Sequence, residues 1–363
     1  MMTEKERKQM KKRLISFALA MMIGFGVTGI FPAFAEGKAP VRVGELTWLQ
    51  ENSAERSATL AEIQEKIAGL TGSGEQEESE ERNLYSCEKE IICYDTLDSM
   101  LMALQAGEID AAGLYSSVCR YIARRNDNLT IFGGDSFNAS SPQSANRILE
   151  LNLLDAFLSV DFSFMFREEN EALRDLFNNA LADMEKDGTL ASLFQESVTP
   201  AIFDAEVNPA TAGMDPAEGA ETIRVAVTGS LPPMDYFAGN GTPAGFNTGI
   251  MAEIGRRTGK NIEFVSVDAG ARLLALSSGS VDVVFWARNH AEHDTLVNTE
   301  AWKALLRDHP DLENSLTEEE EARIRSARDA IFAIRAGENE QPEGTILSRP
   351  FYSDWYAYLI RRE

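Results

Sequence analysis

The sequence predicts an α/β protein of two lobes, each an open sheet with helices against it. Three observations carry that expectation. An A-L-x-x-G-x-[Ile/Val]-Asp frame occurs twice, at 103–110 and 275–282, and self-similarity is settled before any local reading. Each copy has helical apolar spacing in front (Leu97, Met100, Leu101, Leu104; Leu273, Leu274, Leu276) and a short apolar run behind (Ala111 to Leu114; Val283 to Trp286). With the Gly of the frame ending the helix, each copy reads as helix, turn, buried strand. The flanks match as well: Val41-Arg-Val parallels Ile223-Arg-Val, and Phe164-Met-Phe-Arg-Glu-Glu169 parallels Tyr358-Leu-Ile-Arg-Arg-Glu363. A chain of 363 residues also exceeds one typical domain.

The elements follow in order. Lys5, Arg7, Lys8, Lys11, Lys12 and Arg13 precede an apolar run from Leu14 to Phe31, and Ala33-Phe34-Ala35 offers a small-x-small cleavage site. Residues 1–35 therefore read as a secretory signal peptide, which places the rest outside the cytoplasm, periplasmic or at the cell surface. An uncleaved anchor stays open, since the run is near bilayer-spanning length. With no Cys at the cleavage site, a lipoprotein is not expected. The first lobe, 36–204, begins with a strand at Val41 to Trp48 and a helix at Ala54 to Ala68. An acidic excursion at 72–83 has no apolar anchor and reads as a solvated loop. Ile91 to Tyr94 is the next strand, and Asp95 or Thr96 can cap the helix of the first frame. A helix from Ser116 to Asn126, strands at Leu129 to Phe132 and Phe162 to Phe166, and helices at Glu169 to Ala182 and Gly188 to Phe194 complete it, with a Ser/Asn/Pro-rich loop reaching Gln143.

Residues 205–221 shift to Ala, Pro, Gly and acidic residues and read as a linker. The second lobe, 222–363, opens on the strand Ile223 to Val227 and a loop with aromatics, Leu231 to Phe237. A helix at Thr248 to Thr258 ends at Gly259, and a strand at Ile262 to Val267 leads to the second frame. Residues 290–345 form a polar helical insertion whose Glu318–Glu321 run suits the first turn of a helix better than a metal site. Strand patterns return from Ile346 to Ile360.

The chemistry these residues exclude is informative. A formal charge of −24, from 34 basic and 58 acidic residues, disfavours nucleic acid and anionic lipid as partners. Cys87, Cys93 and Cys119 fix no pairing by spacing, and with His290, His293 and His309 they do not suggest a zinc site. There is no nucleophile elbow, phosphate loop, dinucleotide fingerprint or His-Glu-x-x-His. No catalytic activity, cofactor or metal is expected.

The second half resembles the N-terminal lobe of bacterial extracellular solute-binding proteins, family 3, the amino-acid-binding components of ATP-driven importers. The residues that carry this are Ile223 to Val227, Pro232-Pro-Met-Asp-Tyr-Phe237, Gly245-Phe246-Asn247, Ala275 to Asp282 and Ser348-Arg-Pro-Phe-Tyr352. The first half is similar to the family's C-terminal lobe and tail, through Tyr94-Asp-Thr-Leu, Ala103 to Ala111, Phe164 to Glu168, Glu171-Ala-Leu173 and Asn179 to Leu190. The order of the lobes is the reverse of the family's. The resemblance implies a type II, periplasmic-binding-protein-like clamshell, either as one receptor with permuted lobes or as two degenerate tandem copies. It also implies capture of a small polar, amino-acid-like solute, for an ABC permease or a membrane sensor.

Binding a free amino acid needs a guanidinium for the carboxylate, a carboxylate for the ammonium and an aromatic wall. The family's Thr-x-x-Arg stretch is absent, which leaves Arg288, after Trp286, as the nearest cation; the ammonium-binding Asp is replaced by Gly113-Leu-Tyr-Ser116. Candidate ligand contacts are Tyr236 and Phe237 as a wall, Asn247 and Thr248 at a helix start, and Tyr115, Ser116, Trp286, Arg288, Phe351 and Tyr352. Asp110 and Asp282, inside the frames, read as structural. The two missing groups also leave room for a second function, a degenerate scaffold that serves as a protein-interaction or sensory module.

Overall fold

The frame helices end where their glycines allow it. In the computed structural model, the first frame's helix α1 (Leu97–Ala106) starts on the Thr96 side chain, which accepts from Ser99 N at 3.2 Å, and stops at Gly107 with φ 79. A left-handed φ carries no side-chain penalty at Gly. The structure describes residues 40–49, 84, 87–132, 159–208, 213–214, 216–289, 318, 322 and 341–362. The signal peptide at 1–35, the helix at 54–68, the excursion at 72–83, the loop reaching Gln143, most of the 290–345 insertion and all three histidines lie outside them.

The other elements are β1 (Val41–Leu46), β2 (Lys89–Tyr94), β3 (Ala111–Tyr115), α2 (Ser116–Arg125), β4 (Leu129–Ile131), β5 (Ser159–Arg167), α3 (Glu171–Lys186), α4 (Thr189–Ser197) and α5 (Thr199–Phe203). Beyond the linker come β6 (Thr222–Val227), β7 (Ser230–Leu231), β8 (Asp235–Phe237), β9 (Pro243–Ala244), α6 (Phe246–Thr258), β10 (Asn261–Ser266), α7 (Arg272–Ser277), β11 (Val283–Arg288), β12 (Thr345–Leu347) and β13 (Tyr352–Arg361). The aromatic loop at 231–237 thus contains short strands, since β7, β8 and β9 form a small antiparallel sheet. The run from Ile346 is interrupted at Ser348–Phe351 before β13 begins.

The main sheet runs β10-β6-β11-β5-β13-β3-β1-β2, with β12 beside β5 and β4 beside β13. Each half supplies a parallel trio in the same order, β2-β1-β3 and β10-β6-β11. An antiparallel strand closes each trio, β13 on β3 and β5 on β11, and these two closing strands pair with each other through Tyr352–Trp355 and Ser159–Phe162. The closing strands are exchanged: β5, within 36–204, joins β11 and β12, while β13, within 222–363, joins β3 and β4.

Along β6 and β11 the side chains alternate between two apolar layers. Val225, Val283 and Phe285 enter the larger core with Phe164 and Phe166, whereas Ala226, Val284 and Ala287 join a smaller one with Met165 and Leu276. That period of two, buried on both faces, is the signature of a covered parallel sheet. Fully burying each large apolar side chain contributes about 1.5–3 kcal/mol.

The matched flanks of the sequence turn out to be two equivalent latches. Arg42 donates to Asp110 from N at 3.0 Å, Nε at 3.2 Å and Nη2 at 2.7 Å. Arg224 does the same to Asp282 at 3.0, 3.0 and 2.8 Å. A second arginine, from the end of each closing strand, caps the frame. Arg361 Nη1 donates to the carbonyls of Leu104 (2.6 Å) and Ile109 (2.7 Å), and Arg167 Nη1 to those of Leu276 (2.9 Å) and Val281 (2.6 Å). Burial pushes the Asp110 and Asp282 carboxyls up, but the arginine hydrogen bonds outweigh it and hold both below the usual carboxylate range. Both aspartates serve the turn.

Candidate functional site

The closing strands cross at the junction of the two parallel trios, and the chain segments that follow the two frames meet there. β3 ends at Tyr115 and passes directly into α2, while β11 carries Trp286 toward the same place. The β11–β5 register shifts between Val284 and Ala287, and Trp286 sits inside that irregularity with φ 72. A left-handed backbone at a bulky residue is strained, about 1–3 kcal/mol, and holds only where the surroundings enforce it. Here the indole stacks on Phe162 at 3.8 Å and 22° and is 2% exposed. Its Nε1 is buried with no hydrogen-bond partner among the described residues.

Around that stack the rings are continuous. Tyr115 meets Phe162 edge-on at 4.8 Å and Trp286 at 5.6 Å. Tyr352 lies 5.6 Å from Trp286, stacks on Phe194 at 5.3 Å and meets Phe246 at 5.6 Å. Phe351 stacks on Phe164 at 4.3 Å. Aromatic pairs at such separations add about 0.5–1.5 kcal/mol beyond area burial.

Beside the rings runs a buried polar thread. Asp354 Oδ2 accepts from Ser117 N and from the Tyr352 hydroxyl, both at 3.0 Å, and Oδ1 accepts from Trp355 N at 2.7 Å. The Tyr352 oxygen is in turn 2.7 Å from Ser117 Oγ. The carboxylate therefore sits on the first turn of α2, where free N–H groups and the helix dipole favour negative charge. Burial nonetheless pushes the Asp354 carboxyl above its ordinary range. Asp161 accepts from Ser353 Oγ, and Asn289 donates to the Asp161 carbonyl at 2.8 Å and to Ser163 Oγ at 2.9 Å.

Of the candidates read from the sequence, Tyr115, Trp286 and Tyr352 converge at the junction, with Phe351 one position before Tyr352. Ser116 is half-buried and accepts from Arg120 Nε at 3.3 Å; Arg288 is half-buried at the end of β11. Tyr236 and Phe237 lie on β8, half-buried and apart from this stack. The Tyr236 hydroxyl is pushed up to about 12 by burial, with Tyr121 adding to the shift and Arg125 opposing it, so this strand faces α2. Phe237 packs on Gly229, where a Cβ would fall 2.3 Å from the ring. Asn247 and Thr248 are fully buried and tied to their own loop: Asn247 Nδ2 donates to Asp235 Oδ1 at 3.3 Å and Thr248 Oγ1 to Gly245 O at 2.8 Å. The helix they were expected to cap begins instead at Phe246, with Gly245 at its N-cap.

Sequence reasoning missed Phe162, Ser117, Asp161, Asp354 and Asn289. Two of these carried a signal: Asp161 and Asp354 are charges set inside strongly apolar strands, and a buried charge needs a reason. Among the described residues no cluster of three or more His, Cys, Asp or Glu could hold a metal ion, no disulfide joins the cysteines, and no helix is long and apolar enough to cross a membrane.

Solved structures with a similar arrangement include the zinc-bound ligand-binding component of an ABC-type import system from Staphylococcus aureus. It is 8% identical, with TM-score 0.33 over 89% of this chain and 66% of that one, so the chain spans just under two thirds of its length. The GluR0 ligand-binding core complexed with L-glutamate is 8% identical, with TM-score 0.30 over 90% and 86%. An amino acid ABC transporter substrate-binding protein from Streptococcus pneumoniae bound to L-arginine is 11% identical, with TM-score 0.29 over 89% and 82%. No curated protein matches the chain. Residues 223–297, from the start of β6 to beyond β11, match the family model of the bacterial extracellular solute-binding proteins, family 3, the family whose motifs this sequence resembles.

Proposed function

We propose that this protein is an exported solute-binding protein of the type II clamshell kind, with an internal repeat, whose lobes close on a small polar, amino-acid-like ligand for an ABC permease or a membrane sensor. The observation that carries the reading is the family match over 223–297. The exchanged closing strands support it: β5, from 36–204, pairs with β11 of the β10-β6-β11 trio, and β13, from 222–363, pairs with β3 of the β2-β1-β3 trio. The role is binding, without catalysis.

A second reading, a scaffold that kept the lobes and acts as a protein-interaction or sensory module, is favoured by a specific observation. Tyr115, Phe162, Trp286 and Tyr352 fill the lobe junction with their own rings, and Asp354 occupies the first-turn N–H of α2 that an external carboxylate would need. Thermal melts of the full chain against a panel of free amino acids and other small polar solutes separate the two. A ligand at 100 times its Kd raises stability by about 2.7 kcal/mol. A melting temperature that none of them moves would leave the scaffold reading standing.

A further inference from the structure

Besides the paired closing strands, one stretch of chain joins the two parallel trios, and it is held at three places. The helices α3 and α4 seat on α6, on the β10-β6-β11 side. Arg257 Nη2, on α6, donates to Asp187 Oδ2 at 2.7 Å and to Thr189 Oγ1 at 2.9 Å, at the turn between α3 and α4. Phe194 of α4 meets Phe246 of α6 edge-on at 5.6 Å. Further along, the chain is fastened to that side again, where Ala217 N donates to Asn261 Oδ1 at 2.8 Å at the start of β10. Between these two anchors, 199–208 reaches across to α2, the helix that follows β3 of the other trio.

The hold on α2 centres on one side chain. Arg125, the last residue of α2, donates from Nη1 to the Ala201 carbonyl at 2.8 Å and from Nη2 to the carbonyls of Asp204, at 3.3 Å, and Val207. Its guanidinium lies 3.7 Å from the centre of the Tyr121 ring, and the Tyr121 hydroxyl donates to Asn208 Oδ1 at 3.2 Å. A planar guanidinium serves several acceptors at once, and a ring beneath it fixes its plane. Phe203, the last residue of α5, stays 58% exposed, so the arginine rather than a buried ring fastens this end. Pro200, in the first turn of α5, offers no N–H with which α4 could run on, which leaves a joint at Val198 between the two helices.

We propose that 199–208 is a strap, tied by Arg125, that holds the two lobes of the clamshell at their present separation, so that the lobes part only when Arg125 lets go. The strap acts on lobe separation itself, so its test needs no ligand and stands apart from the choice of solute. Spin labels at Glu90→Cys and Glu263→Cys report that separation. The two positions are equivalent, exposed on the outermost strands β2 and β10 beside Arg42 and Arg224. With Cys87→Ser and Cys93→Ser, the one native thiol left is the buried Cys119. In this background Arg125→Ala should lengthen the label distance, read by pulsed electron double resonance, by more than about 2 Å. Hydrogen exchange over 199–208 should quicken at least about tenfold while α3 keeps its rate. A distance unchanged or shortened by Arg125→Ala would overturn the proposal, and so would exchange over 199–208 no faster than in the parent. Should Arg125→Ala not fold, Arg125→Lys, which keeps the charge and loses the fork, should still lengthen the distance, and an unchanged distance there refutes the strap.

Discussion

Replacing Asp282 by Ala tests whether the frames are latches. The Asp282 side chain is 16% exposed and takes four donations: three from Arg224 and one, at 3.3 Å, from Arg167 Nη2. Removing it leaves the Arg224 N–H and two guanidinium groups short of their acceptor. Breaking a buried pair from one side costs about 3–5 kcal/mol. Arg224 is 38% exposed and screened by water, so about 2–4 kcal/mol is the reasonable figure. At about 2–4 °C per kcal/mol for a unit of this size, the melting temperature falls by roughly 4–16 °C. Circular dichroism melts at pH 7 give the value, and Asp282→Asn, which keeps an acceptor for Arg224 N, loses less. The pH dependence has a definite sign. The folded carboxyl lies below its unfolded value, so its contribution is complete above about pH 4 and is lost as pH falls through the depressed folded value. The gap between wild type and Asp282→Ala should therefore narrow on acidification below about pH 4. A shift smaller than about 2 °C at pH 7, or a gap that widens in acid, would refute the latch.

Other expectations follow the same physics. Asp110→Ala should cost less than Asp282→Ala, about 1–3 kcal/mol, because Asp110 and Arg42 are 23% and 39% exposed and Arg361 reaches the frame carbonyls but not Asp110; equal losses in urea denaturation would contradict this. At Trp286, with φ 72, Gly should be better tolerated than Ala by about 1 kcal/mol, and an Ala variant as stable as the Gly variant would remove the strain argument. Gly245→Ala should destabilise by about 2 kcal/mol or more, since φ is 103 and a Cβ would lie 2.6 Å from the Pro233 carbonyl oxygen; an unchanged melt would show that the loop relaxes. Burial pushes the Cys119 thiol far above the usual thiol range, while Cys93 is exposed, so iodoacetamide followed by mass spectrometry should label Cys93 and spare Cys119 in the folded chain.

Much of the fold was legible because it is written in local chemistry. The frames announced helix, turn and strand through Gly107 and Gly279, and their aspartates were readable as structural. The paired flanks, Val41-Arg-Val with Ile223-Arg-Val and Phe166-Arg with Ile360-Arg, indicated equivalence before their partners were known. The exchange of β5 and β13 was not legible, since Tyr352 and Ser117 stand 235 residues apart and strand alternation says which face is buried, never which neighbour is paired. The candidate site divides similarly. Tyr115, Trp286 and Tyr352 were found because they follow recognisable elements. Asn247 and Thr248 looked like cap residues open to a cleft, but the helix begins at Phe246, two residues before the expected Thr248, and Asp235 claims the Asn247 amide.

The position of β13 also sets a schedule. It is the strand that joins β3, β4 and β5, yet it is made long after all three. With 235 residues between Ser117 and Tyr352 and synthesis at about 5–20 residues per second, β3 waits roughly 10–50 s with one edge unpaired. Open edges are templates for wrong partners. The nascent chain therefore depends on whatever shields β3 during that interval, and its yield in a cell should respond to chaperone supply and translation speed more sharply than the stability of the finished protein would suggest.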